Sequence, residues 1–214
     1  LDALRSGDTD TEMALRAEIM ARFKRTDSQV TAALFRLLTD QEVGVPATHA
    51  RCGIDLMQVA SMRWLLPSFI PAKDQTLLWG PAGSGKTTAA LRMAFDALDG
   101  KGFLGEPSPA ESLPGVLFIA SDSGPEPLRQ AMEDANLLDH PAVTDGRFEV
   151  WAHAQEQGQT AWDASLPNCL TLLEHVRGGS FGMVVIDSAK AVTSRADLNY
   201  LDNAQTTALL TFFK

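Results

Sequence analysis

The sequence predicts an α/β fold, in which a parallel sheet carries helices on both faces and a small helical segment precedes it. Three observations predict this fold. Residues Gly80–Thr87 read GPAGSGKT and fit the phosphate-loop pattern G-x-x-x-x-G-K-[ST] at every specified position. Short apolar runs alternate with helix-prone segments over residues 76–187. The last run, Met183–Ile186, ends directly in Asp187, as a strand does when it delivers an acid to the binding edge of a sheet.

Residues 1–60 are predicted to form a small helical segment followed by a linker. After a polar stretch, the pattern predicts one helix over 12–24 and a second over 27–44. Their apolar residues recur at helical spacing: Leu15, Ile19, Phe23, Val30, Leu34, Leu37 and Leu38. Two such helices could form a helix-turn-helix, although a small helical bundle is the commoner outcome. The segment 46–53 reads as the linker.

Residues 61–214 are predicted to form the main domain. In chain order we predict an apolar lead-in over 64–71, a strand over 76–79, a helix over 87–98, a loop over 100–114, a strand over 116–120, a helix over 127–138, a strand over 148–151, a helix over 166–177, a strand over 183–186 and a helix over 204–213. The chain begins at Leu1 rather than Met and stops inside a predicted helix at Lys214. We therefore expect a fragment of a longer protein, with this domain incomplete at its C-terminal end.

The loop 80–87 has the chemistry that a bound nucleotide requires. Its glycines let backbone N–H groups turn toward phosphate oxygens, and the helix after it points its positive end at the same place. Lys86 supplies a full positive charge, which also makes it a candidate catalytic residue. The predicted nucleotide-binding residues are Gly80, Pro81, Ala82, Gly83, Ser84, Gly85, Lys86, Thr87 and Thr88. A dinucleotide site is excluded, because Thr88 stands where its third glycine is needed.

A magnesium site is predicted where this loop meets the strand that ends in Asp187. The Thr87 hydroxyl and the Asp187 carboxylate are the kind of oxygen ligand that Mg²⁺ prefers. Because ligands in open parallel sheets lie at the carboxyl ends of the strands, both groups are expected at one edge. We therefore expect ATP and Mg²⁺ as cofactors, with Thr87 and Asp187 as the metal ligands. In the alternative, Asp187 merely caps a helix or a loop.

Hydrolysis also needs a group that orients the attacking water. Ser188 follows Asp187, so the chain lacks the Asp-Glu pair that many ATPases use. Asp122, just past the predicted strand 116–120, is the first candidate for the catalytic carboxylate, and Glu126 is the second. In the alternative, Asp122 only caps the loop or the following helix.

The composition limits the other classes of function. The formal net charge of −9 argues against a surface that is basic throughout, but leaves room for a local basic groove. The two cysteines, Cys52 and Cys169, fit no metal spacing and indicate reduced thiols in a cytoplasmic protein. No apolar run reaches the length that spans a membrane, and no signal-peptide pattern is present. We therefore expect no membrane partner.

Taken together, these residues resemble RecA-like P-loop ATPases, above all the RepA, DnaB and KaiC group and the ATPase modules of primase–helicases. The segments that carry the resemblance are 64–71, 77–88, 103–106, 115–122 and 184–192. The resemblance implies a RecA-like core over roughly residues 60–214. It also implies that Asp122 polarises the attacking water, at a position where the group usually carries Glu. Thr88 would contact the α-phosphate, and Asp202-Asn203 would correspond to an Asp-Asn pair.

The same resemblance implies an ATP-binding and hydrolysing motor module of a replicative helicase or primase–helicase that acts on DNA. Its expected partners are single-stranded DNA and further copies of the chain, in a homo-oligomer such as a hexameric ring. Two alternatives stay open: a RecA-like regulatory ATPase, and an ATP-binding scaffold without unwinding activity. The family's sensor residue and arginine finger would lie beyond Lys214. Since an arginine finger is worth about 10³–10⁵ in rate, we expect this chain to hydrolyse ATP slowly.

Overall fold

The computed structural model describes residues 9–27, 29–31, 33–34, 61–104, 106, 111–122, 124–152 and 161–196. In chain order its elements are α1 (Thr9–Phe23), β1 (Trp64–Leu66), β2 (Ile70–Pro71), α2 (Lys86–Leu98), β3 (Val116–Ala120), α3 (Pro125–Asp134), α4 (Pro141–Thr144), β4 (Phe148–Ala152), α5 (Leu166–Gly178), β5 (Met183–Asp187) and α6 (Ala189–Arg195). From α2 to α6 strands alternate with helices, as the sequence predicts, except that two helices, α3 and α4, lie between β3 and β4.

Among the described residues, the core sheet has three parallel strands in the order β4–β3–β5. All five residues of the central strand β3 are buried. Its last residue, Ala120, lies beside Ala152 of β4 and Asp187 of β5. A central strand is covered on both faces, which explains the unbroken apolar run that predicted β3. The register brings the carboxyl ends of the strands to one edge.

Helices cover both faces of this sheet, which confirms the predicted fold class. The cluster between the sheet and helices α2 and α3 includes Leu91, Ala94, Phe95, Leu98, Val116, Phe118, Leu128, Met132 and Phe148. On the other face, Leu172 of α5 packs against Leu117 and Ile119 of β3. Successive side chains of a strand point to opposite faces, so one short strand joins both layers of the core.

The N-terminal helices are described only in part. Helix α1 spans nearly the predicted range, and the described residues of 27–34 are helical. The Arg16 guanidinium joins the two segments, with hydrogen bonds of 3.2 Å to Asp27 Oδ1 and 2.8 Å to Thr31 Oγ1. Val30 is buried, whereas Phe23 is exposed. The predictions for residues 35–60 and for the helix over 204–213 lie outside the described residues, and the division at residue 60 stays a prediction.

The end of helix α3 differs from the prediction. We predicted a helix as far as residue 138, but α3 ends at Asp134. Asn136 takes a left-handed conformation with φ 55. Its N–H donates to Glu133 O, and the N–H of Leu137 donates to Met132 O. These two hydrogen bonds form a Schellman motif, in which asparagine replaces the usual glycine and ends the helix.

The segment ahead of the phosphate loop also differs from the prediction. The lead-in folds into the antiparallel pair β1–β2, but the predicted strand over 76–79 has no regular secondary structure. Leu77 is 75% exposed and Trp79 is 86% exposed. A strand needs a neighbour that takes up its backbone hydrogen bonds. The described sheet consists of β4, β3 and β5, and residues 76–79 pair with none of them. The apolar run alone was therefore not sufficient evidence for a strand.

Candidate functional site

The phosphate loop adopts a conformation that depends on its glycines. Gly83 has φ 74 and Gly85 has φ 80, in the left-handed region that disfavours residues with a Cβ. A Cβ at Gly80 would lie 2.9 Å from Ser84 Oγ, so the exposed Ser84 side chain would have to turn away. Gly85 is also the N-cap of α2. The loop therefore opens directly into the N-terminus of a 13-residue helix, where free N–H groups favour an anion.

Lys86 lies at the first position of α2 and folds back over the loop. Its Nζ donates a hydrogen bond of 2.7 Å to Pro81 O. The backbone N–H of Ser84 donates to the same carbonyl at 3.3 Å. The ammonium group is thus held against the loop that would receive the phosphates. Residues 81–85 and Thr88 are exposed, so a ligand can reach them from solvent.

Thr87 and Asp187 meet at the edge of the sheet, although they are 100 residues apart. The Thr87 hydroxyl donates a hydrogen bond of 2.6 Å to Asp187 Oδ2. Thr87 is placed by the first turn of α2, and Asp187 by the end of β5. A hydroxyl and a carboxylate in contact are a donor set that fits Mg²⁺, which takes protein oxygens together with phosphate oxygens. These two residues would hold the metal, and the metal would neutralise phosphate charge.

Asp122 lies at the same edge, held there through the backbone. The carbonyl oxygen of Asp187 accepts hydrogen bonds from Ser121 N at 2.7 Å and from Asp122 N at 3.3 Å. The Ser121 side chain is buried, and its hydroxyl donates to Trp162 O at 2.9 Å. The main chain just after β3 is therefore fixed on both sides, while the carboxylate of Asp122 remains exposed.

The structure does not bring Glu126 to this group. It lies in the first turn of α3 and is exposed. The described lining of the cavity beside Asp122 consists of Asp122, Lys190, Ala191 and Ser194. The catalytic role of Glu126 therefore stays a prediction, and no contact among the described residues supports it.

The structural role of Ser121 was not predicted from the sequence. It follows five buried apolar residues, and its buried hydroxyl ties the loop after β3 to the segment before α5. A small polar residue between a buried strand and an acid is the only sequence signal for this role, and it is weak. The contact with Trp162 O depends on tertiary structure and leaves no local pattern.

Other candidate chemistries find no support in the part of the chain that is described. Within it, no three residues of the types His, Cys, Asp and Glu are grouped as metal ligands. Burial raises the pKa of the Cys169 thiol, so it remains a protonated, unreactive core residue. No described helix has the length and apolar character needed to cross a membrane. Cys52 lies outside the described residues.

The family model described as an AAA domain matches residues 47–213, which is most of the chain. No curated protein and no solved structure matches the chain. The matched range includes the phosphate loop, the Thr87–Asp187 contact and the parallel sheet that positions them. The chain therefore belongs to the AAA domain family, and its core is that of a P-loop ATPase.

Proposed function

We propose that this chain is the ATP-hydrolysing motor module of a replicative helicase or primase–helicase that acts on DNA. The observation that carries the proposal is the convergence on Asp187, whose side chain contacts Thr87 and whose carbonyl oxygen accepts from Asp122 N. The phosphate-binding helix and the candidate hydrolytic loop are thus connected through one residue. A motor needs such a connection, because hydrolysis must change the contacts of elements that bind its track.

Each residue of the site has a distinct role in this proposal. Lys86 and the backbone N–H groups of 80–87 bind the phosphates and stabilise the negative charge of the transition state. Thr87 and Asp187 hold Mg²⁺. The Asp122 carboxylate accepts a hydrogen bond from the attacking water and orients it toward the γ-phosphorus. Thr88 extends the phosphate contacts along α2.

The proposed partners are single-stranded DNA and further copies of the chain, arranged as a ring. The resemblance of residues 60–214 to the RepA, DnaB and KaiC group supports this part of the proposal, whereas the AAA domain match supports the ATPase alone. The net charge of −9 means that phosphate contacts must come from a local basic groove rather than from the whole surface.

The test is the steady-state rate of ATP hydrolysis by the full-length protein with and without single-stranded DNA. We expect the oligonucleotide to raise kcat at low salt, with the effect weakening as salt increases. Lys86→Ala serves as the control that removes turnover in both conditions. Equal rates of hydrolysis with and without DNA would contradict the motor proposal and favour a regulatory ATPase.

A scaffold that binds ATP without useful hydrolysis is the second candidate. The exposure of Asp122 favours it, since a catalytic carboxylate is usually held in place by neighbours. A scaffold predicts tight Mg²⁺-ATP binding with no turnover above the background of the Lys86→Ala variant. Turnover that Lys86→Ala abolishes rules the scaffold out.

A further inference from the structure

A cavity of about 280 Å³ is lined by residues that follow the carboxyl ends of β3 and β5. Asp122 and Lys190 both line it, together with Ala191 and Ser194. One water occupies about 30 Å³ in the liquid, so a space of this size holds several waters. The cavity thus combines a candidate catalytic carboxylate, an ammonium group and room for the solvent from which a nucleophile would come.

The wall that carries Asp122 is fixed at its backbone. Two N–H groups, those of Ser121 and Asp122, donate to Asp187 O, and the Ser121 side chain is anchored on Trp162 O. What remains free is the short Asp122 side chain, which is exposed. Its two rotatable bonds decide whether a carboxylate oxygen points at the attacking water or away from it.

The wall that carries Lys190 is also fixed. The Ser188 hydroxyl accepts from Ala191 N at 3.3 Å. Val192 is buried, and its carbonyl accepts from Ala164 N at 3.0 Å. Lys190 and Ser194 are four residues apart and so lie on one face of α6. Helix α6 is therefore held in place, while the long, flexible Lys190 side chain can extend across the cavity.

We propose that Lys190 is a positioning residue for Asp122. Its ammonium group donates a hydrogen bond to one oxygen of the Asp122 carboxylate, which leaves the other oxygen to accept from the attacking water. The Asp122 carboxylate has no side-chain hydrogen bond or ion pair among the described residues, with Lys190 or with any other. The proposed charge-assisted contact would restrict its side-chain rotamers. The inference rests on the proposed hydrolytic role of Asp122 and adds to it the group that makes the carboxylate effective.

The test uses the full-length protein and measures basal ATP hydrolysis without nucleic acid. We expect Lys190→Ala to lower kcat by about ten- to a hundredfold, the scale of loss when a reacting group is slightly misplaced. KM and the Kd for ADP should stay within about twofold, since Lys190 contributes nothing to ground-state binding in this proposal. Lys190→Arg should restore most of the rate, because it keeps a cationic donor.

Two further measurements separate positioning from other roles. Asp122→Asn should lower kcat by about 10²–10⁴-fold, and the double variant Asp122→Asn, Lys190→Ala should be no slower than Asp122→Asn alone. Lys190→Ala should also weaken the binding of ADP with aluminium fluoride, which mimics the transferring phosphoryl group, by a factor similar to its loss in kcat. Lys101→Ala, a lysine change after the C-terminal end of α2, is the matched control and should leave all these values unchanged.

The outcomes distinguish this inference from the function on which it rests. If Asp122→Asn hydrolyses ATP at the wild-type rate, the hydrolytic role of Asp122 is wrong. If Asp122→Asn is slow but Lys190→Ala is not, only the positioning role is wrong. The positioning role is also wrong if the two losses in kcat multiply in the double variant. The same holds if Lys190→Ala lowers kcat only when DNA is present. Either result would indicate that Lys190 contacts a ligand directly.

Discussion

Asp99, Lys101 and His140 form a small polar cluster after the C-terminal end of α2. Burial alone would raise the pKa of Asp99, but hydrogen bonds from Lys101 and His140 outweigh it and lower that pKa. His140 Nδ1 accepts from Ala142 N at 3.1 Å and caps α4, so the proton of a neutral ring lies on Nε2. That nitrogen lies 3.2 Å from Asp99 Oδ2. His140 therefore links the N-terminus of α4 to the C-terminal end of α2.

This cluster predicts how stability depends on pH. A carboxyl whose pKa is depressed by folding adds stability above its unfolded pKa of about 3.9 and loses it as the pH falls through the folded value. Lys101→Ala should therefore cost about 0.5 kcal/mol near pH 7, a small value because Lys101 is largely exposed. Urea unfolding at pH 7 and near pH 3 checks this. The difference between variant and wild type should shrink at the lower pH, and an equal difference would contradict the assignment.

At the residue scale, the sequence predicted the functional side chains that belong to a short sequence pattern. It did not predict the role of Ser121, which depends on a contact with a distant segment. The glycines, Lys86 and Thr87 lie within one loop pattern, so their roles could be read from spacing alone. Asp187 was predictable because an apolar strand ends there. Glu126 lies in the first turn of α3 and is exposed, and its catalytic role stays a prediction.

At the scale of elements, the entry to β3 is tightly packed against neighbouring backbone. Gly115 is buried, and its carbonyl accepts from Gly182 N at 2.8 Å just before β5. A Cβ on Gly115 would lie 2.6 Å from Ser180 O and 3.3 Å from Arg147 O. Backbone atoms cannot rotate away as side chains can, so the strands themselves would have to separate.

Gly115→Ala is accordingly expected to destabilise the fold by about 1–3 kcal/mol, the usual cost of overpacking. Gly178→Ala is the matched control, since a Cβ there meets nothing within 4 Å. It ends helix α5, where alanine is at least as favourable as glycine. Chemical denaturation compares the two. Equal midpoints for both variants would show that the close approach at Gly115 is relieved without cost.

Helices and strands were predicted most accurately where the segment's own sequence pattern determines the structure. Strands β3 and β5 were predicted to within a residue, because each is a run of at least four apolar residues. Only β3 is buried along its whole length. The extent of α3 was wrong because an asparagine in the left-handed conformation ended it, which the amphipathic spacing does not reveal. The run over 76–79 had the composition of a strand, but a strand also requires a partner, and no sequence pattern specifies that partner.

For the molecule as a whole, nucleotide binding and folding should be linked through the Thr87–Asp187 contact. A ligand present at about a hundred times its Kd stabilises the folded state by about 2.7 kcal/mol. In a chain of this size that corresponds to a rise of roughly 5–10 °C in Tm.

Lys86→Ala should abolish most of this rise, because the ammonium group contacts the phosphates rather than the core. Thermal unfolding with and without Mg²⁺-ATP measures it. The two proteins should have similar Tm values without nucleotide, since Lys86 is only half-buried and its contact is with a loop carbonyl. The same shift in both would mean that phosphate is bound elsewhere.

Trp79 gives the molecule an optical property that follows from its position. It directly precedes Gly80 of the phosphate loop and is 86% exposed, whereas Trp64, Trp151 and Trp162 are half-buried. An indole in water emits at longer wavelength than one in a packed interior and is quenched more readily by solutes such as iodide. The red edge of the emission spectrum therefore belongs mainly to one residue beside the phosphate loop. The chain carries an intrinsic fluorescent reporter of that loop, and no dye needs to be attached to follow it.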